Sequence, residues 1–264
     1  MKLAISGKGG VGKTTLAAAL ALRFAEEGRK VIAIDADPDS NLAATLGFPE
    51  PERIVPLIEM KALIAERTGA EPGSFGAYFK LNPKVDDIPE RYAPEHRGIR
   101  LLVMGGLRKG GSGCFCPEHA FLKALLAHLL VGREDIVILD MEAGIEHLGR
   151  GTAQAVDALI VVVEPSRRSI ETALRIQELA SELGVRKVFV VGNKVRDAED
   201  VDFIRAHLST TPFGFAQGML KGGLSGMELL GVIRYDREIV DQVGGAVVVA
   251  AEEIKQGIAE QLTA

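Results

Sequence analysis

A nine-residue segment near the amino terminus limits what this chain can fold into more than any other segment. Residues 7–15 read Gly-Lys-Gly-Gly-Val-Gly-Lys-Thr-Thr, which fits the G-x-x-x-x-G-K-[ST] pattern of a phosphate-binding loop. The segment follows a short apolar run, Leu3–Ile5, and opens a helical stretch over Thr14–Glu27. Because the motif lies between a strand and a helix, it predicts a nucleotide site rather than an ordinary glycine-rich turn.

The residue types in this loop match the chemistry of a polyphosphate. Glycines allow backbone N–H groups to close around phosphate oxygens, and the helix N-terminus adds partial positive charge. We expect Lys13 to reach the β- and γ-phosphates and the Thr14 hydroxyl to hold Mg²⁺. The residues predicted to bind nucleotide here are Gly9, Gly10, Val11, Gly12, Lys13, Thr14 and Thr15.

Length and composition indicate one globular domain. The chain has 264 residues, of which 47% are hydrophobic and 25% charged, so a single domain over residues 1–264 can bury a sizeable core. The net charge of −5 gives no sign of a nucleic-acid surface. No apolar run is long enough to span a bilayer, and the first predicted strand, around Leu3–Ile5, begins too early to follow a signal peptide. We expect a cytoplasmic protein with no membrane or nucleic-acid partner.

Short apolar runs alternate with helical patterns along the chain, which predicts an α/β fold with a doubly wound, mainly parallel sheet flanked by helices. Residues 48–98 are less regular, and we expect helices and loops there at the sheet edge. The predicted strands are Lys2–Ile5, Val31–Ile34, Ile99–Met104, Ile136–Leu139, Ala158–Val163, Lys187–Val191 and Leu229–Ile233. The later predicted helices are Phe121–Leu130, Ile170–Leu183, Val201–Leu208, Arg237–Val243 and Val247–Leu262.

Carboxylates follow two of these strands. Asp35 and Asp37 come after the second strand, and Asp140 ends the run Ile136–Leu139. Carboxylates at the carboxyl ends of strands beside a phosphate loop can hold a metal ion or orient water. We expect Asp140 near Mg²⁺, because an apolar strand that ends in aspartate beside a phosphate loop is typical of a magnesium contact. For Asp39 and Ser40 we favour a turn and helix cap.

Two later segments are candidates for the base side of the nucleotide. Asn193 can offer both a donor and an acceptor to an adenine edge, and Lys194 follows it. Arg234 and Tyr235 follow the last predicted strand. The residues after Lys194 lack an aspartate at the spacing typical of guanine recognition, so we favour ATP over GTP.

The only cysteines, Cys114 and Cys116, form a C-x-C pair. A disulfide between them would close a small strained ring. Two thiols can ligate one metal ion but cannot complete a four-coordinate site, whereas a two-fold dimer would supply four thiolates. The alternative is two incidental thiols on a loop.

The segment Gly7–Thr14 resembles the deviant Walker A motif of the MinD/ParA/nitrogenase-iron-protein ATPases. The resemblance implies that Lys8 crosses a dimer interface to the partner's nucleotide and that Asp37 positions the attacking water. It places Asp35 near Mg²⁺. It also implies a base contact from Asn193. Arg234 departs from the family, since relatives often carry proline at that position.

Within this superfamily, the chain resembles the CooC-type nickel-insertion ATPases that mature carbon monoxide dehydrogenase. The C-x-C pair and the run from Asp140 to His147 carry this narrower resemblance. It implies a nucleotide-driven homodimer, Ni²⁺ or Zn²⁺ bound between the two C-x-C pairs, and hydrolysis coupled to metal delivery to a carbon monoxide dehydrogenase-type client. His119, Glu146 and His147 are further candidates for assisting the metal.

Two alternatives of another class stay open at this point. A ParA/MinD-type positioning ATPase would need a basic DNA-binding face or a basic amphipathic helix, and neither is evident. An iron–sulfur electron carrier uses two widely separated cysteines per subunit, whereas those here are adjacent.

Overall fold

The computed structural model describes residues 1–72, 78–105, 117–145, 148–209, 227–235 and 245–263. Within these ranges, helices separate every pair of consecutive strands except the third and fourth. The strands are β1 (Lys2–Gly7), β2 (Val31–Asp35), β3 (Glu95–His96), β4 (Ile99–Val103), β5 (Ile136–Asp140), β6 (Ala158–Val163), β7 (Val188–Val195) and β8 (Glu228–Arg234). The α-helices are α1 (Lys13–Glu26), α2 (Leu42–Thr45), α3 (Lys61–Thr68), α4 (Ile88–Arg91), α5 (Pro117–Val131), α6 (Arg150–Ala153), α7 (Arg167–Leu183), α8 (Ala198–Ser209) and α9 (Gly245–Thr263). Two 3₁₀ turns occupy Pro51–Arg53 and Leu57–Glu59.

The strands form one eight-stranded sheet in the order β3-β4-β2-β5-β1-β6-β7-β8. The short edge strand β3 is antiparallel to β4, and the other neighbouring pairs are parallel. Strand β1 lies in the middle, between β5 and β6. The carboxyl ends of the parallel strands therefore meet at one edge of the sheet, where the phosphate loop leaves β1.

Both faces of the sheet are covered, which explains why its central strands read as unbroken apolar runs. Helices α1, α2 and α9 pack on one face. Helices α3 to α8 contribute to the core on the other face. The long helix α9 packs against β8 and α1. The predicted doubly wound α/β fold is confirmed.

The predicted elements differ from the observed ones mainly at their ends. Each predicted strand is present, and β7 extends four residues further than expected, to Val195. The predicted helix over 247–262 is α9, whereas the predicted helix over 237–243 lies outside the described residues. The sequence did not indicate β3, because two residues are too few to show an alternating pattern. Among the described helices, none has the length and apolar character needed to cross a membrane.

Candidate functional site

At two glycines of the phosphate loop, a larger residue would force neighbouring atoms to shift. Gly7 has φ of 145°, and a Cβ built on it would lie 2.3 Å from the carbonyl oxygen of Val162. Gly12 has φ of 96° and stands at the N-cap of α1 without a side-chain cap. The first N–H groups of α1 therefore have no capping side chain, which suits them to phosphate oxygens.

Lys13 and Thr14 begin α1 directly behind this loop. The Lys13 side chain is buried, at 6% exposure, and its Nζ donates to the carbonyl oxygen of Lys8 at 3.4 Å. A buried ammonium folded back on its own loop marks the position of an anion. Thr14 is half-buried beside it. The two residues predicted to hold the phosphates and Mg²⁺ therefore lie together.

Two buried carboxylates lie next to each other below the loop. Asp35 ends β2 and Asp140 ends β5, and the two residues are paired in the register of these strands. Their exposures are 0% and 1%. Burial raises the pKa of Asp35 to about 6 and that of Asp140 to about 7. The neighbouring Asp35 adds to the rise in the pKa of Asp140, because two like charges at close range oppose ionisation.

Asp140 has the features of a magnesium ligand or of a group that holds Mg²⁺ through water. The nearby Thr14 hydroxyl offsets part of the rise in the pKa of Asp140. Even so, neither carboxylate oxygen completes a hydrogen bond of normal geometry with any residue in the described ranges. Buried polar atoms usually have partners. An unpartnered carboxylate beside a threonine hydroxyl and a phosphate loop therefore fits Mg²⁺, a cation that prefers oxygen ligands.

Asp35 has a structural task in addition to its place beside Asp140. One of its oxygens accepts from the backbone N–H of Leu42 at 3.0 Å, at the start of α2, and the other accepts from the N–H of Asp37 at 3.2 Å. Asp35 thus provides the hydrogen bond at the α2 N-terminus. The predicted cap from Asp39 or Ser40 is wrong, although both residues lie in the predicted turn. The reason is that Asp35 approaches the N-terminus of α2 from the sheet.

Asp37 lies at the rim of the site and is half-buried. One of its carboxylate oxygens accepts from the N–H of Asp39 at 3.0 Å, and its carbonyl accepts from the Ser40 hydroxyl at 3.0 Å. These two bonds fix the Asp37 backbone and side chain in the turn after β2. The carboxylate of Asp37 is thereby held at the same edge of the sheet as the phosphate loop.

Asn193 and Lys194, predicted on the base side, contact the phosphate loop itself. The Asn193 Nδ2 donates to the carbonyl oxygen of Val11 at 2.7 Å. Lys194 adopts a left-handed backbone with φ of 58°, at an irregular pairing of β7 and β8. Its Nζ donates to the carbonyl oxygen of Gly10 at 2.7 Å. The loop is therefore supported from β7 through two of its carbonyl groups.

Arg234 and Tyr235 lie beside this segment. Both side chains are exposed, and the backbone N–H of Tyr235 donates to the carbonyl oxygen of Val195 at 2.9 Å. The end of β8 is thereby joined to the end of β7, so the four residues predicted on the base side belong to neighbouring strand ends.

Two polar residues at this edge were not predicted from the sequence. Ser6 is fully buried, and its hydroxyl donates to the carbonyl of Gly144 at 2.8 Å and to that of Glu142 at 3.1 Å. It fixes the loop after β5 against β1. Glu164, directly after β6, lies 3.6 Å from Lys8 and 3.5 Å from Lys194. A polar residue at the end of an apolar strand was the available signal for both.

The predicted metal ligands Cys114 and Cys116 lie outside the described residues, as do Glu146 and His147. His119 is exposed in the first turn of α5. Over the ranges that are described, His, Cys, Asp and Glu side chains form no group of three or more that would hold a metal ion.

Comparison with known proteins also indicates a nucleotide-binding protein. Residues 2–245 match the family model described as CobQ/CobB/MinD/ParA nucleotide binding domain. The chain is 48% identical to the carbon monoxide dehydrogenase accessory protein CooC of Rhodospirillum rubrum over 238 residues, covering 87% of this chain and 90% of that protein. It is also 45% identical to an uncharacterized ATP-binding protein of Methanocaldococcus jannaschii, over 91% of this chain and 87% of that protein.

Solved structures share the fold at lower identity. A putative plasmid partition protein from Borrelia burgdorferi bound to AMPPNP aligns with a TM-score of 0.65 at 15% identity, over 98% of both chains. The cell division protein MinD of Aquifex aeolicus aligns with a TM-score of 0.59 at 23% identity, over 99% of this chain and 97% of that chain. The phosphate loop and the match over residues 2–245 lead to one conclusion: the chain belongs to the CobQ/CobB/MinD/ParA nucleotide-binding family, and within it to the CooC-type members.

Proposed function

We propose that this protein is a dimerising ATPase that couples ATP binding and hydrolysis to insertion of nickel into a carbon monoxide dehydrogenase-type enzyme. The arrangement of Lys13, Thr14 and the unpartnered Asp140 carries the ATPase part of the proposal. The 48% identity to a carbon monoxide dehydrogenase accessory protein supports the choice of client enzyme. We further propose that residues 1–264 act as a single domain.

Nucleotide binding follows from groups already in place. The open N-terminus of α1 and the Lys13 ammonium take the phosphates, and Thr14 and Asp140 hold Mg²⁺, with Asp35 behind them. When bound there, Mg²⁺ would offset negative charge that develops on the phosphates. Asn193 and Lys194 keep the loop in its binding shape through the carbonyls of residues 10 and 11.

Hydrolysis needs one water and two further side chains. The water oxygen bonds to the γ-phosphorus while the bond from that phosphorus to the β–γ bridging oxygen breaks. The products are ADP and inorganic phosphate. One proton of the attacking water stays on its oxygen in the phosphate, and the other is taken up by a phosphate oxygen or by solvent. Asp37 orients the water from its fixed turn, and Lys8 of each subunit stabilises charge on the partner's phosphates.

The cargo metal binds where two chains meet. We propose that Cys114 and Cys116 of both subunits supply four thiolates to one Ni²⁺ or Zn²⁺. Zn²⁺ accepts a tetrahedral set of four sulfurs, and Ni²⁺ can take a square-planar one. Both nucleotide and metal favour the dimer in this scheme, so each strengthens binding of the other.

A comparison of the wild type with Lys8→Ala tests the dimeric ATPase. We expect the wild type to form a dimer with ATP and to hydrolyse it. Lys8→Ala should bind ATP with similar affinity but lose most turnover, since the lysine acts across the interface. The measurements are light scattering, calorimetry and phosphate release, with Lys30→Ala as a control for loss of one exposed lysine elsewhere. Normal turnover in Lys8→Ala would show that each subunit works alone.

A further inference from the structure

Glu164 is a charged residue at the nucleotide edge whose task the proposed ATPase mechanism leaves open. It follows β6 directly, and its carboxylate lies between two lysines from different parts of the chain. Its Oε1 is 3.6 Å from the Nζ of Lys8, and its Oε2 is 3.5 Å from the Nζ of Lys194. Each lysine therefore faces a different oxygen of the same carboxylate.

The position of Glu164 is fixed by the turn into α7. Its backbone N–H donates to the hydroxyl of Ser169 at 3.1 Å, and its Oε1 accepts from the hydroxyl of Ser166 at 3.3 Å. Ser166 is also the N-cap of α7. The carboxylate is thus anchored to the sheet, whereas the side chain of Lys8 extends from a loop and is 38% exposed.

We propose that Glu164 is a latch that keeps Lys8 on its own subunit until a nucleotide-loaded partner arrives. This inference rests on the proposed function, in which Lys8 crosses to the partner's phosphates. A cation held by its own chain is not available to the partner, so the contact between Lys8 and Glu164 opposes dimerisation of the nucleotide-free protein. Polyphosphate carries more negative charge than one carboxylate, so Lys8 exchanges Glu164 for the partner's phosphates.

Lys194 makes this exchange easy. When Lys8 leaves, only Oε1 of Glu164 loses a charged neighbour, and that oxygen keeps the Ser166 hydroxyl. Oε2 keeps Lys194, which is itself held by the carbonyl oxygen of Gly10 at 2.7 Å. Removing one partner of an ion pair is unfavourable mainly when the other charge is left alone. Here Glu164 stays paired, so the latch opens without leaving an isolated charge.

The test measures the dimer dissociation constant by sedimentation with Mg²⁺ and a non-hydrolysable ATP analogue. Exposed ion pairs contribute little individually, but two latches open per dimer, so Glu164→Gln should lower the constant about two- to tenfold. Glu178→Gln, on the exposed side of α7, makes the same change in net charge and should leave the constant unchanged. The difference between wild type and Glu164→Gln should shrink at about 0.5 M salt, because screening weakens the latch.

Several outcomes overturn the latch. An unchanged or higher constant in Glu164→Gln would show that Glu164 does not oppose the dimer. An equal decrease in Glu178→Gln would assign the effect to net charge, and a difference that persists at high salt would assign it to packing. In each of these cases the wild type still forms a dimer, so the proposed dimeric ATPase is not contradicted. A wild type that stays monomeric with the analogue overturns both the dimeric mechanism and the latch. If Glu164→Gln does not fold, Glu164→Asp retains the charge with a shorter reach and should lower the constant by a smaller factor.

Discussion

Replacing Gly12 by alanine tests how the phosphate loop is held in place. Gly12 has φ of 96°, and a Cβ built there lies 2.2 Å from the Nδ2 of Asn193. A left-handed backbone costs an alanine about 1–2 kcal/mol, and the stiffer unfolded chain offsets part of this cost. Asn193 must also move away from the carbonyl of Val11, which removes a 2.7 Å hydrogen bond contributing about 1 kcal/mol. We expect Gly12→Ala to lower the free energy of unfolding by about 2 kcal/mol.

Two neighbouring glycines provide matched controls for this effect. Gly10 has φ of 76°, and a Cβ added there would meet nothing within 4 Å, so Gly10→Ala carries the backbone strain alone and should lose about 1 kcal/mol. Gly9 has neither a positive φ nor a close neighbour. Gly9→Ala should therefore stay within about 0.5 kcal/mol of the wild type.

Urea unfolding without nucleotide measures these differences by linear extrapolation. In an Asn193→Ala background the amide is absent, so the penalty of Gly12→Ala should decrease to that of Gly10→Ala. If Gly12→Ala is as stable as Gly10→Ala or more stable, or if Asn193→Ala leaves its penalty unchanged, the Asn193 amide does not restrict residue 12. Equal losses from Gly9→Ala and Gly12→Ala would show that the loop geometry is not the cause.

Three further predictions concern the carboxylates and the cysteines. Because burial raises the pKa of Asp140 to about 7, the folded state binds the Asp140 proton more tightly than the unfolded state does. The free energy of unfolding without Mg²⁺ should therefore fall as the pH rises from about 4 to 7. Urea titrations at several pH values should show that Asp140→Asn removes about 2–4 kcal/mol of this decrease. A profile as steep in Asp140→Asn as in the wild type would place the titration elsewhere, at Asp35 first. Asp37→Asn should keep ATP and Mg²⁺ affinity but accumulate an ATP-bound dimer visible by light scattering, and wild-type hydrolysis in this variant would move the catalytic role to another residue. Equilibrium dialysis should find one Ni²⁺ or Zn²⁺ per dimer, and this metal should be lost in Cys114→Ala and Cys116→Ala. Metal affinity should decrease at low pH, because the thiols must be deprotonated to bind the ion. One metal per monomer, retained in either variant, would contradict the shared site.

The sequence by itself determined the features that depend on local patterns. The phosphate loop, the buried strands and the carboxylates that end them were all predictable, because glycine spacing, apolar runs and strand-terminal aspartates are read over a few residues. The carboxyl ends of parallel strands share one edge, so Asp35 and Asp140 could be placed near Thr14 before their pairing was known.

Which of these groups contact each other depends on the tertiary structure. The contact of Asn193 with Val11 joins residues 182 positions apart, and that of Ser6 with Gly144 spans 138. Both contacts depend on strand order, which puts β5 and β6 on either side of β1 and β7 next to β6. That order follows from how the whole sheet packs between its two helical layers, and no local stretch of sequence encodes it. For the same reason the role of Glu164 was not predictable from the sequence. It follows an apolar strand, as other polar residues do, and only the folded sheet brings the two lysines next to it.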